Sequence, residues 1–240
     1  MRKLIPQPWT NCFLTMKRIS TTARSAGIAV SLVTLMLLGA CQSKQNLSEP
    51  SMENFTKTIS SYLSERGNLC LAKYDWPIYV ADQDKTSNSR DAVQLPVLEK
   101  LGVVKGTDMT VERTDNDGAK VSAPGRKYEL TDEGKKFFLH KPVVVATATK
   151  RVTHDADLCV ATLSLDKVVG WEPPLTRDGE TRTSVLYTYK IDPVPFARTS
   201  EFQRVFPMVE RVIEGAGTMQ LREGVRLTKD GWVAEEYFVR

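Results

Sequence analysis

The sequence is poor in the residues that most often bind metals. Its 240 residues include only two histidines and four cysteines. Of the histidines, His140 stands alone, whereas His154 begins the stretch His154-Asp155-Ala156-Asp157, which gathers three potential ligands. That spacing matches no zinc or calcium pattern, and a polar turn between two strands explains the same residues. We therefore expect neither a metal nor a cofactor.

Local catalytic motifs are also missing from the sequence. It contains no nucleophile elbow, no zinc-protease helix, no Cys-His couple and no local pair of carboxylates spaced for acid–base work. A catalytic site assembled from residues far apart in the chain would leave no such local mark. The sequence thus favours a non-catalytic protein, with a hydrolase of dispersed catalytic residues as the alternative.

No apolar run is long enough to span a bilayer. The run from Ile28 to Leu38 has eleven residues, whereas a spanning helix needs about 20. Its length instead fits the core of a signal peptide, and the basic flank that such a core requires is present in Lys17, Arg18 and Arg24. Met16 is then the expected start, and residues 1–40 form the signal peptide.

The apolar run ends in Leu38-Gly39-Ala40-Cys41. This tetrapeptide resembles the lipobox of bacterial lipoproteins. The resemblance implies that the Cys41 thiol receives a diacylglycerol and that Cys41 becomes the first residue of the mature protein. It also implies attachment to the outer membrane, because Gln42 rather than Asp follows the lipidated cysteine, and the soluble part then faces the periplasm or the cell surface.

Residues 42–51 are polar, and with Cys41 they form a predicted lipidated and flexible tether. Ten residues span at most about 33–36 Å when fully extended, so we expect the domain to stay close to the membrane. All five charges before Cys41 are basic, and their removal lowers the formal net charge from +4 to −1. The mature part therefore has no excess of positive charge that would favour nucleic acid.

Two cysteines remain in the mature chain beside Cys41, namely Cys70 and Cys159. In an oxidising compartment they can pair only with each other, and such a disulfide would stabilise the fold by about 4–5 kcal/mol in the chain-entropy model. Two separately buried thiols are the alternative. We predict the disulfide.

Three short segments recur in the same order along the chain. Residues 68–72 match 157–161, residues 95–100 match 206–211, and residues 128–134 match 225–231. Each pair keeps its apolar positions, which favours a duplicated unit over chance. The predicted boundary places a first α+β unit at residues 52–141 and a second, strand-rich α+β unit at residues 142–240.

The periodicities predict an α+β fold with antiparallel sheets and a few helices. Helices are predicted over residues 52–66, 90–101 and 201–214. A hairpin is predicted around Asn116-Asp117-Gly118, with strands over residues 109–113 and 127–131. Longer strands are predicted at 69–80, 142–152, 158–169, 181–191, 218–228 and 232–239.

Helices followed by such a hairpin, over residues 52–139, weakly resemble a winged helix. In the cytoplasm this resemblance would imply DNA binding. The expected compartment and the balanced charges Arg90/Asp91 and Lys100/Glu99 argue against it, so we expect no nucleic acid partner.

Three aromatic residues lie near the cysteine-bearing strands: Trp76 and Trp171 stand beside proline or glycine, and Tyr74 lies three residues before Pro77. They are candidates for a binding surface, although aromatic residues that cap a small core have the same pattern. The sequence thus predicts a lipid-anchored envelope protein with a binding or structural ectodomain. Its expected partners are the membrane and another envelope protein.

Overall fold

The computed structural model describes residues 46–238, apart from 87–88 and 115–116. The predicted signal peptide, the lipobox with Cys41, and residues 42–45 lie outside the described residues. Within the described ranges the chain is a mixed α+β protein in which every strand pair is antiparallel. The predicted fold class is confirmed.

The elements of the described chain are six helices and twelve strands. The helices are α1 (Met52–Arg66), α2 (Asp82–Thr86), α3 (Arg90–Lys100), α4 (Asp132–Lys135), α5 (Ser200–Val205) and α6 (Pro207–Glu214). The strands are β1 (Asn68–Cys70), β2 (Ile78–Ala81), β3 (Val104–Thr114), β4 (Lys120–Leu130), β5 (Phe138–Leu139), β6 (Val143–Ala146), β7 (Arg151–His154), β8 (Asp157–Trp171), β9 (Leu175–Arg177), β10 (Glu180–Pro193), β11 (Leu221–Thr228) and β12 (Gly231–Ala234).

The main sheet has the strand order β1-β8-β10-β11-β12, with β5 beside one end of β8 and β9 beside one end of β10. A second sheet has the order β2-β4-β3, and β6 pairs with β7 in a separate hairpin. Because β1 lies in the first predicted unit and β8 in the second, the main sheet is built from both.

Helix α1 packs on the main sheet because its apolar side chains recur at helical spacing. Phe55, Ile59 and Leu63 are at most 4% exposed and lie on one face. They form a core, here called the α1 core, with side chains of the sheet, among them Val168, Val185, Tyr187, Val225 and Trp232. The helix begins at its cap Ser51, whose side chain accepts a hydrogen bond from Asn54 N.

Gly67 ends α1 where the chain passes very close to β8. Its N–H donates to Leu63 O at 2.8 Å, and its carbonyl accepts from Leu163 N at 2.7 Å. A Cβ atom at this position would collide with the carbonyl oxygens of both residues. Only glycine allows this approach, so the turn from α1 into β1 depends on its missing side chain.

A second core, here called the α3 core, joins the two predicted units. Leu95 and Leu98 of α3 lie with Tyr128 of β4, Leu158 of β8 and Phe202 of α5, and all five are at most 1% exposed. The described residues accordingly belong to one compact unit. Whether the two segments arose by duplication stays a prediction.

The recurring segments occupy partly matching positions. The first pair lies on the adjacent strands β1 and β8, and the second lies on helices α3 and α6. The third pair differs, because Thr131 caps α4 whereas Thr228 ends β11 at a tight turn. The winged-helix resemblance also stays a prediction. It would include α1, and this helix packs on β8 and β12 of the main sheet.

Four predicted elements are divided or shortened in the structure, and one of them, the strand expected over 142–152, is divided into the paired strands β6 and β7. The helix expected over residues 201–214 is interrupted at Phe206 (φ −126°, ψ 58°), because Pro207 lacks an N–H and disfavours a helical residue before it. The strand expected over 69–80 divides into β1 and β2, and the last strand ends at Ala234. Pro96, by contrast, lies inside a continuous α3.

Residues 46–51, which composition assigns to the flexible tether, are hydrogen-bonded to the folded chain. The side-chain amide of Asn54 donates to Asn46 O and to Glu49 O, each at 2.8 Å. The Trp232 indole N–H also donates to Glu49 O at 3.3 Å. These contacts bind the second half of the predicted tether to α1 and β12.

Candidate functional site

The cysteines form the predicted disulfide. Cys70 of β1 and Cys159 of β8 are bonded, with their Cα atoms 3.8 Å apart and paired in register across the two strands. The alternative of two separately buried thiols is thereby excluded. The disulfide attaches the beginning of the irregular segment 71–77, which connects β1 to β2, to the start of β8.

Asp157 holds the first residues of this segment in place. Its carboxylate accepts hydrogen bonds from Lys73 N at 2.8 Å and from Ala72 N at 3.2 Å. Ala72 has φ 57°, in the left-handed region that non-glycine residues rarely adopt. The paired N–H donors explain how this conformation is kept. Burial raises the pKa of Asp157 above the ordinary aspartate value of 3.8, although the N–H donors act in the opposite direction.

Lys73 connects the same segment to helix α3. Its side chain is 2% exposed, and its Nζ lies 2.8 Å from Gln94 Oε1 and 2.9 Å from Asp91 Oδ1. Gln94 in turn donates from Nε2 to Val205 O at 3.0 Å. A buried ammonium group needs such partners, so Lys73 acts as an internal link between the segment, α3 and the end of α5.

The potential metal ligands of residues 154–157 diverge. The ring of His154 stacks on Tyr74, with centroids 4.1 Å apart, and its Nδ1 lies 3.0 Å from Asp75 Oδ2. Asp157 instead points inward to the backbone of residues 72 and 73, and Asp155 is exposed. Across residues 46–238 with their two gaps, no three His, Cys, Asp or Glu side chains are grouped as a metal site would require.

Trp76 lines a cleft of about 600 Å³, here called the Trp76 cleft. Pro77 of the same segment lines it too. Its other lining residues come from the paired ends of β3 and β4 and from α4 with its cap: Lys105, Glu129, Leu130, Thr131, Asp132 and Lys135. The cleft combines an aromatic ring and an aliphatic side chain with both signs of charge. Such a mixture is typical of surfaces that bind a flexible polar chain.

The Trp76 cleft is lined by two cations and two anions, but not all of them form ion pairs with one another. Asp132 pairs with Lys135 at 2.7 Å, and Glu129 pairs with Lys127 at 2.9 Å. Within the described chain Lys105 has no carboxylate within 4.0 Å, and the buried indole N–H of Trp76 has no hydrogen-bond acceptor. The cleft thus offers one unpaired cation beside an aromatic ring.

The three predicted aromatic residues do not share one surface. Tyr74 and Trp76 lie on the same segment, and Trp76 packs against the α3 core. Trp171 belongs to the α1 core, where its ring lies 5.0 Å from that of Phe55. The sequence did not identify Lys105, Leu130 and Thr131 as residues of this site. The Leu130-Thr131 pair at the open end of the β3–β4 hairpin was the signal that could have indicated them.

Among the described residues, no pair of side chains supports the hydrolase alternative. Among their hydrogen bonds none joins a serine hydroxyl to a histidine, and the carboxylate partner of His154 is Asp75. The two remaining cysteines are oxidised. The alternative stays a prediction. In the part of the chain that the structure describes, no helix has the length and apolarity needed to cross a bilayer.

Comparison with known proteins adds no information on function. No family model matches the sequence, and no curated protein and no solved structure resembles it significantly.

Proposed function

We propose that this chain is a lipid-anchored protein of the outer membrane whose non-catalytic ectodomain binds another envelope protein through the Trp76 cleft. The lipobox-like sequence ending at Cys41 supports the anchor. The Cys70–Cys159 disulfide supports export independently, because structural disulfides persist in oxidising compartments and are rare in the cytosol.

The observation that carries the binding role is the composition of the Trp76 cleft. Its volume of about 600 Å³ accommodates several residues of a bound chain. Trp76 contributes aromatic contact area to the wall of the cleft, and tryptophan is enriched among the residues that dominate binding energy. The unpaired Lys105 favours a partner segment that carries a carboxylate.

The anchor is tested by mass spectrometry of the mature protein. We expect the N-terminal residue to be an acylated Cys41, and we expect a Cys41→Ser variant to be neither acylated nor cleaved. An unmodified Cys41 within a longer chain would contradict the proposal.

The binding role is tested by photo-crosslinking in cells. A photoreactive residue placed at Lys135, on the rim of the cleft, should yield a discrete crosslinked product. A second substitution, Lys105→Glu, should remove that product because it reverses the unpaired charge. The matched control Lys167→Glu changes an exposed lysine of β8 and should leave the product intact.

Two results would contradict the binding role. One is a product at Lys135 that persists in the Lys105→Glu variant. The other is a set of products at Lys135 that consists only of abundant bystanders and matches the set obtained from a photoreactive residue at Lys167. Circular dichroism of the variants checks that neither substitution unfolds the domain.

A further inference from the structure

Residues 46–51, the second half of the predicted tether, are attached to the fold. Asn54, which is 5% exposed, holds the carbonyls of Asn46 and Glu49, and Trp232 holds Glu49 as well. Only residues 42–45 then separate the folded chain from Cys41. Five Cα–Cα steps span at most about 18 Å, so Asn46, whose carbonyl is bonded to Asn54 of α1, stays within that distance of the lipidated residue.

The strand registers identify what else lies at this end of the molecule. Thr228 pairs with Gly231 at the turn between β11 and β12, and Arg177 pairs with Glu180 at the turn between β9 and β10. Arg182 of β10 is the partner of both Leu175 and Arg226. Both turns therefore project from the same end of the main sheet.

Three large apolar side chains are exposed near this end of the sheet. Leu175 of β9 is 74% exposed, Met52 at the start of α1 is 49% exposed, and Leu47 is 37% exposed. Leu47 lies beside Gly231, at the turn between β11 and β12. We call this set, together with the turns at 178–179 and 229–230, the tether end.

We propose that the tether end rests on the lipid surface that holds the anchor, with Leu47, Met52 and Leu175 in contact with the bilayer. This inference rests on the proposed lipidation of Cys41. The short tether keeps these side chains at high effective concentration near the lipid, where exposed apolar groups partition favourably.

Electrostatic attraction contributes little to the proposed contact. The cations Lys57, Arg177 and Lys229 are offset by nearby acids, namely Glu49, Glu53, Asp178 and Asp230. A surface with both signs in similar number is not drawn strongly to anionic lipids. The contact should therefore depend only weakly on salt and on the fraction of anionic lipid.

The experiment measures proximity to lipid in the full, acylated protein. Single substitutions Met52→Cys, Leu175→Cys and Met208→Cys each receive a fluorophore, since all three side chains are exposed. The protein is reconstituted into phosphatidylethanolamine vesicles that contain some phosphatidylglycerol and a lipid with a nitroxide on its headgroup. The nitroxide quenches nearby fluorophores.

Met208 is the matched control because it lies at the opposite end of the sheet. It belongs to α6, and the Val212 carbonyl of that helix accepts a hydrogen bond from the Tyr189 hydroxyl at 2.7 Å. Tyr189 lies nine residues along β10 from Glu180, which corresponds to about 30 Å. We expect several-fold stronger quenching at positions 52 and 175 than at position 208.

The two proposals fail in distinguishable ways. A protein that does not float with the vesicles contradicts the lipid anchor, and with it the proposed function. A protein that floats but shows equal quenching at all three positions contradicts the orientation alone. Quenching at position 52 without quenching at position 175 also contradicts the orientation, because the tether would then lie near lipid while this end of the sheet would not.

Discussion

Removing the disulfide is expected to bring the protein close to the limit of folding. Cys70 and Cys159 are separated by 89 residues in sequence. For a loop of that size the chain-entropy model gives about 15 cal/mol/K of lost unfolded-state entropy, or about 4.6 kcal/mol at 25 °C. Domains of this size are stable by about 5–15 kcal/mol in total.

Local structure offers few replacements for this bond. Strand β1 has three residues and pairs only with β8. Beyond the disulfide, the segment after it is held to β8 by the bond from Leu71 N to Leu158 O and by the two N–H groups bound to Asp157. The double variant Cys70→Ala/Cys159→Ala should therefore lose about 4–5 kcal/mol, in line with the loop entropy.

The loss is measured by urea unfolding of the mature protein in detergent, followed by tryptophan fluorescence. Wild-type protein reduced before unfolding is the matched control, because it lacks the same crosslink without any substitution. Both should show a lower midpoint and a larger dependence on urea, since the uncrosslinked unfolded chain is more expanded. A loss below about 1 kcal/mol would refute the reasoning, because the bond would then constrain neither state as this loop length requires.

Three further variants test single contacts. Burial and neighbouring carboxylates raise the pKa of Glu223. The folded chain therefore binds this proton more tightly than the unfolded chain, and it loses stability as pH rises through that pKa. In urea titrations Glu223→Gln should be more stable than wild type at pH 8 but not at pH 4. Lys73→Met should lower the free energy of unfolding by about 2 kcal/mol through loss of charged hydrogen bonds, whereas the exposed control Lys229→Met should change it by less than about 0.5 kcal/mol. Asn54→Ala should speed amide hydrogen exchange in the six residues before α1, and Thr56→Ala, on the exposed face, should not; equal exchange in both variants would contradict the role of Asn54.

Features that depend on short-range chemistry could be predicted from sequence. The spacing of Phe55, Ile59 and Leu63 and the glycine at position 67 define α1, and the disulfide follows from having only two cysteines available. The division of the helix at Pro207 was also visible in principle, because proline disfavours a helical residue before it.

The Trp76 cleft and the docked tether could not be predicted in this way. Trp76 and Trp171 each stand beside proline or glycine, yet they pack in different cores, because the face that each meets is set by distant strands. Residues 46–51 contain one large apolar residue, Leu47, and are otherwise small or polar, which normally indicates free chain. Their attachment depends on a side-chain amide of α1 and an indole from β12, at the other end of the chain.

The segment that carries Trp76 is attached to the main sheet at the end opposite the tether end. Strand β10 runs from Glu180, at the tether end, to Pro193, whose register partner is Ala161 of β8. Its fourteen residues correspond to about 45 Å along the strand. From Ala161, β8 leads back to Cys159 and Asp157, which bind the segment that carries Trp76. A bilayer contact at one end would therefore present the cleft at the other, where the disulfide and Asp157 keep its position fixed relative to the membrane.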